Sequence, residues 1–286
     1  MLTEAQLEMR RTGIGGSEIA ALVGEDKFSS PFDVYLAKVE GWRKPTNPDM
    51  ERGSFLEAGI AEWYAHRTGS VLLEMGAFIH PDNPVLRCTP DRFEAVTDET
   101  LRLVSIKAPR RSEGWGKDGT DEVPPGYLLQ LQWEHAIVSR CALHLDPVMH
   151  LAALVDGDLR IYMVTSDPEI QGWLLEYAQS WWARHVVARV PPPLDGSSEA
   201  ERWLRKRFPR DTQPIRPATP WEDVRMLELR DVEARADVLS EEADTLRLEL
   251  MQSIGEAGGL ESPAGRVTFR ADKNGKRSFK TKWSKG

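Results

Sequence analysis

The sequence predicts an α/β fold in which a central mixed β-sheet is flanked by helices and followed by a long C-terminal helix and a β-hairpin. Three observations lead there. A polar turn after Pro90-Asp91 gives way to the apolar run Leu101, Leu103, Val104, Ile106, which reads as the returning arm of a bent hairpin. Stretches with helical spacing, such as residues 53–69 and 126–138, alternate with strand-like runs, the pattern of a sheet covered by helices. Met226, Leu229, Val232, Ala236, Leu239, Ala243, Leu246, Leu250 and Ile254 recur by threes and fours, the period of one long helix.

A chain of 286 residues with 41% hydrophobic content can bury a sizeable core as one large domain, or as one domain with an appendage. It carries no apolar run of membrane-spanning length and no basic-then-apolar leader at Met1, so a cytoplasmic protein with no membrane partner is expected. Cys88 and Cys141 are too few to staple the chain; free thiols are expected, and four-cysteine metal sites are excluded. The net charge of -8 argues against a protein that coats nucleic acid. The charge is uneven, however. Acids gather at residues 91–99 and 222–249, and bases at 202–216 and 266–285, as an acidic metal pocket beside phosphate-binding surfaces would produce, although solvated helix faces would produce the acidic half equally well.

In chain order, Arg10 to Glu18 leads from a short polar helix into the apolar pattern Ile19, Ala20, Leu22, Val23, with Ser17 as the expected N-cap. Glycines 13, 15 and 16 would let backbone amides approach an anion at this helix start, but these residues alone read more simply as a capped surface helix after a flexible turn. A helix over 53–69 spaces Phe55, Ile60, Trp63 and Tyr64 along one side and is capped by Gly69. Pro90 biases Thr89 to an extended backbone, so Asp91 sits where strand meets turn. Strand alternation then points Ser105 and Lys107 the same way, toward the face carrying Asp91.

Residues 117–122 form a polar loop, read as a cover for the site or a mobile segment. Pro124-Pro125-Gly126 starts a helix over 126–138, on which Gln130 and Gln132 cannot face the same way; Gln132 and His135 are read as structural. Strands over 148–155 and 159–164 are joined by a tight turn at Asp156-Gly157-Asp158, and should extend the sheet away from the chemistry. A helix opened by Asp167-Pro168 carries a core stripe of Trp173, Leu174, Tyr177, Trp181 and Trp182. Pro191-Pro192-Pro193 marks the edge of the core, so the expected organisation is a core over 1–190, a basic linker over 191–219 and an accessory region over 220–286. There Thr219-Pro220-Trp221-Glu222 caps the long helix, Gly258-Gly259 ends it, and a basic hairpin turns at Asn274-Gly275.

The blocks Pro90-Asp91, hairpin, Ser105-Ile106-Lys107, in order with Arg10 to Ser17, Glu57 and Tyr127 to Gln130, resemble the metal-dependent nucleases whose signature is Pro-Asp, then Asp or Glu, any residue, Lys. Within that group the chain is similar to YqaJ-type viral recombinases and lambda-phage exonuclease, over roughly residues 10–187. The resemblance implies a restriction-endonuclease-like core and a magnesium-dependent DNA exonuclease, with Mn2+ as a substitute. Digestion from 5' ends of duplex DNA would leave single strand for a phage annealing partner. Asp91, Glu57, directly or through water, and the carbonyl of Ile106 would hold the metal, Lys107 would help position or activate the attacking water, and Gln130, selected by the family's aromatic-x-x-Gln, would orient water or phosphate. Arg10, with Arg11 as the second choice, Ser17 and Thr89 would bind the 5'-terminal phosphate. A homo-oligomer and a phage or prophage setting are implied as well.

The departure is Ser105, which stands where the family has an acid. Three explanations are open: a substitution that traps a complex, a natural loss of activity, or another acid, such as Glu94, moving in. A catalytically silent DNA-binding or assembly protein on the same scaffold is therefore the alternative to the exonuclease. Ser105→Glu should increase magnesium-dependent degradation.

Overall fold

Glycine and an acid, rather than a hydroxyl, begin the helix that follows Ile14 in the computed structural model, which describes residues 10–42 and 46–284. Helix α1 (Gly16–Val23) has Gly15 as its N-cap, and the Gly15 N–H donates to Glu18 Oε2 at 2.9 Å. Ser17 therefore lies inside the first turn instead of capping it. The short polar helix expected ahead of Arg10 lies outside the described residues, as does Lys285. After α2 (Pro31–Tyr35), capped by Ser30, helix α3 (Pro48–Thr68) starts earlier than residue 53. The reason is local: the Asn47 side chain accepts from the Asp49 and Met50 amides, and Pro48 presets the first turn. Gly69 ends α3 in the left-handed region as expected. The face of α3 that packs is narrower than its spacing suggests, with Ile60, Ala61 and Tyr64 buried but Phe55 80% exposed.

The sheet places the site. Its strands include β1 (Leu72–Leu73), β4 (Arg92–Ala95), β5 (Thr100–Lys107), β6 (His144–Leu145), β7 (Val148–Val155) and β8 (Asp158–Thr165), while β2 (Phe78–Ile79) and β3 (Arg87–Cys88) pair separately. The order is β1-β4-β5-β7-β8, with β6 beside β5. Strands β4 and β5 form the expected antiparallel hairpin, Arg92 opposite Val104. Strand β7 lies parallel to β5, Val104 opposite His150, which requires a crossover, supplied by α4 (Pro125–Val138). The β7–β8 turn uses Asp156 and Gly157 at φ 53° and 92°, the two positive values a type I' hairpin needs.

Alternation along β5 gives each sheet face its own core. Phe93 and Leu103 pack with Leu131, Trp133 and Ile137 of α4 and with Leu174 of α5 (Pro168–Trp181), while Val104 and Ile106 pack with Ile60 and Tyr64 of α3. Trp133 is fully buried and its Nε1–H donates to the Arg87 carbonyl at 2.9 Å. Trp133→Ala is expected to destabilise this unit by about 3–5 kcal/mol, read as a lowered denaturant midpoint. Trp173 of the α5 stripe is half exposed and stacks on Tyr177. The polar loop over 117–122 is pinned to the sheet edge: Gly119 N–H donates to the Ile161 carbonyl, Met163 N–H to that of Thr120, and Asp118 pairs with Arg67. Gln132 and His135 are structural, bonded to or through Gln171. Both thiols are free, Cys88 buried.

The chain divides into units Met1–Pro209 and Arg210–Gly286, later than the proline run at 191–193. Helix α6 (Ser198–Arg207) causes the shift, since Trp203 meets Phe32 edge-on at 5.4 Å and Ala200 is buried. In the second unit α7 (Pro220–Ile254) begins with the expected Thr219–Glu222 capping box. It ends at Gly255, ahead of the expected Gly258-Gly259, because the following residues enter an additional strand, β9 (Gly259–Ser262). This strand pairs with β10 (Gly265–Ala271), which pairs with β11 (Arg277–Trp283). The expected hairpin turn holds at Gly275, φ 82°. No described helix is long and apolar enough to cross a membrane.

Candidate active site

One carboxylate oxygen organises the end of the β4–β5 hairpin. Asp91 lies just ahead of β4, and its Oδ2 accepts from the Ser105 hydroxyl at 3.0 Å, from the Ile106 amide at 2.7 Å and from Lys107 Nζ at 3.5 Å. Ser105 and Lys107 thus share the face predicted from strand alternation. Lys107 Nζ also lies 5.7 Å from the centre of the Tyr127 ring. Burial would lower the Lys107 pKa, but the charges of Asp91 and Glu134 outweigh it and raise the value, so Lys107 stays an ammonium.

Glu134 is the residue that sequence reasoning missed. It sits on α4 one turn after Gln130, whose Nε2 donates to its Oε1 at 2.8 Å, and it is 2% exposed. Burial first, then the charge of Asp91, pushes its pKa up to about 8, against the opposing effects of Lys107 and Gln130. A buried carboxyl at this value lacks a sufficient countercharge. The available signal was the i, i+4 spacing from Gln130, which puts both side chains on one helix face. The start of α1 rests on the same group: a Cβ built at Gly16 would lie 2.8 Å from Glu134 Oε1.

The other expected residues are near but differently engaged. Glu57 is half-buried and accepts from Arg92 Nη1 at 3.2 Å; the same nitrogen donates to the Asp91 carbonyl at 2.5 Å. Glu57 is thus joined to Asp91 through a guanidinium, not brought into one carboxylate cluster with it. Glu94 does not move in for Ser105. It accepts from Tyr64 Oη at 2.8 Å, from Arg102 at 3.0 Å and from Ser70, beneath α3 on the opposite sheet face. The expected phosphate residues Arg10, Ser17 and Thr89 all have exposed side chains. Their segments are stitched together, because Ile14 N–H donates to the Val85 carbonyl at 2.7 Å and Arg87 N–H to the Ile14 carbonyl at 3.1 Å. Lys38, buried against Glu18 at 2.6 Å, donates to the Arg10 carbonyl and fixes the approach to α1.

Among the described residues, no three His, Cys, Asp or Glu side chains converge as a metal cage. The donor chemistry nevertheless fits one hard divalent cation held by two carboxylates and water. Asp91 and Glu134 are oxygen donors close enough for the charge of one to act on the other, and the deficit of positive charge at Glu134 is what such an ion would supply. Ser105 contributes a neutral hydroxyl already committed to Asp91.

The description "YqaJ-like viral recombinase domain" matches residues 6–141. The uncharacterized protein YqaJ of Bacillus subtilis (strain 168) is 26% identical over 208 residues, which is 70% of this chain and 61% of that protein. The chain thus spans less than two thirds of the relative's length. The fold is similar to the crystal structure of an alkaline exonuclease, LHK-Exo, from Laribacter hongkongensis, with a TM-score of 0.50 and 19% identity over 72% of this chain and 98% of that one. The LHK-Exo complex with dAMP gives a TM-score of 0.51 at 19% identity, covering 72% and 97%. A hairpin that gathers Asp91, Ser105 and Lys107 at one sheet end lies within the stretch, residues 6–141, that is similar to the YqaJ-like viral recombinase domain.

Proposed function

We propose that this chain is a magnesium-dependent deoxyribonuclease that degrades one strand of duplex DNA from a 5' end. In this reading Asp91 and Glu134 are the metal-holding carboxylates and Lys107 is the fixed cation. The observation that carries it is the buried Glu134 carboxyl beside the Asp91–Lys107 pair, which restores in space the acid that Ser105 removes from the strand.

Magnesium bound there, or manganese in its place, would supply charge stabilisation and an acidified water. The chain's own residues do the rest. Ser105 and the Ile106 amide hold Asp91 Oδ2 in one orientation, leaving Oδ1 for an ion. Lys107, kept protonated, faces the negative charge that accumulates on a phosphate under attack and does not serve as a base. Gln130 orients Glu134. The exposed Arg10, Ser17 and Thr89 at the start of α1 and the exit from β3 suit a terminal phosphate, and the Ile106 carbonyl and Glu57 lie at the margin of the set. A phage-type recombination setting, with a strand-annealing partner and a homo-oligomeric enzyme, accords with the family description.

The test is degradation of an end-labelled duplex with magnesium or with EDTA. Activity that requires magnesium and starts at 5' ends supports the reading; tight duplex binding with no hydrolysis in any divalent metal favours the silent DNA-binding alternative that Ser105 suggests. Ser105→Glu should raise the magnesium-dependent rate, since it returns an acid to the strand. In a Glu134→Gln background the same change should recover most of the lost rate, and no recovery would overturn the assignment of Glu134 as the displaced acid.

A further inference from the structure

Helix α7 presents an apolar seam to solvent. Leu229, Val232, Ala236, Leu239, Ala243, Leu246 and Leu250 alternate by steps of three and four, the a and d positions of successive heptads. Leu229, Val232, Leu239 and Leu246 are 58, 55, 63 and 53% exposed. Most helical stability comes from packing an apolar face, so a 35-residue helix with this stripe calls for a partner.

Residue size and charge along the seam say which partner. A parallel, in-register copy would set Ala236 against Ala236 and Ala243 against Ala243, leaving voids, and its favourable Glu242–Arg247 contacts would be offset by Glu228 brought toward Glu233. An antiparallel copy with its two-fold axis at Glu241 instead sets Ala236 against Leu246, Leu239 against Ala243 and Val232 against Leu250. Each small residue then meets a large one. The flanks agree: Glu233 faces Arg247 and Arg235 faces Glu249 of the other copy, each contact made twice, with Glu242 against Glu242 as the like-charge contact. Shifting the pair by one heptad toward the N-terminus substitutes Glu228 against Glu249. Among the described residues, Glu233, Arg235 and Glu249 make no ion pair within the chain, whereas Arg225, Arg230 and Arg247 are paired locally.

We propose that α7 pairs antiparallel with α7 of a second copy of this chain, in the register centred on Glu241, making the protein a dimer through its second unit. This does not depend on the nuclease reading. The full chain should run in light scattering at twice its 32.3 kDa mass. Glu233→Arg or Arg247→Glu should each weaken the dimer at least tenfold, and the double charge swap should restore it, which also shows that the single variants fold. In a Cys141→Ser background, Ser240→Cys places the two thiols on the same flank across the axis, where a short bis-maleimide joins them; a parallel pair puts them on opposite flanks. A monomer at tens of micromolar, absence of the Ser240→Cys cross-link, or a double swap no better than the single changes would overturn the proposal.

Discussion

Asp91→Asn is expected to lower magnesium-dependent strand degradation by on the order of 10²-fold or more, with duplex binding and thermal stability close to those of the parent. Three donors converge on Asp91 Oδ2, namely the Ser105 hydroxyl, the Ile106 amide and Lys107. An asparagine oxygen can still accept from the first two, so the hairpin end keeps its shape. What disappears is the negative charge, and with it one of the two carboxylates proposed to hold metal and the ion pair of Lys107. Because Asp91 also helps raise the Glu134 pKa, that value should fall in the variant, which a purely local packing role would not produce. Initial rates on a 5'-labelled duplex, beside binding of the same duplex in EDTA, separate the effects. A rate within threefold of the parent would sink the role given to Asp91.

Glu134→Gln should cost a similar factor in rate and change the pH dependence of stability in a defined direction. The Glu134 carboxyl moves from an ordinary value of 4.5 to about 8 on folding. Below the lower value both folded and unfolded chains hold the proton. Between the two, the unfolded chain has lost it while the folded chain keeps it, so the folded state binds more protons and stability falls as pH rises, until the folded carboxyl ionises above about 8. Glutamine carries no such proton and no such slope. In EDTA the variant should therefore gain on the parent in denaturant midpoint from about pH 5 to about pH 8.5. Magnesium should narrow the gap by binding the ionised parent. Parallel stability curves for the two proteins would mean that Glu134 is not held protonated.

Much of the architecture was legible because it follows short-range rules. The alternation of Leu103, Val104, Ser105 and Ile106 fixed which side chains share a sheet face, the Asp156-Gly157 pair supplied the backbone a tight hairpin requires, and Thr219 with Glu222 marked the long helix. Helix starts were read less well where a competing local partner intervened, as when Glu18 took the Gly15 amide that Ser17 was expected to govern. In the site, Asp91 and Lys107 are neighbours within one hairpin and could be paired from spacing alone. Glu134 could not, since nothing local says that α4 packs its Gln130 face against that hairpin. The surroundings of Glu57 were hidden for a related reason: its neighbour across the packing is Arg92, whose side chain points to α3 by the same alternation that points Ser105 away.

The parallel pairing of β5 with β7 bears on the order in which the protein assembles. The β4–β5 hairpin closes a short loop and can hold Asp91 beside Lys107 on its own. Contacts across the β5–β7 pair and from α4 link residues much farther apart in sequence, and such long-range closures are the slow steps of folding. Glu134 therefore reaches the hairpin only once the crossover has docked. A nascent chain would carry the aspartate and the lysine before it carries the third proposed member of the site, so the activity proposed here would arise among the last folding events.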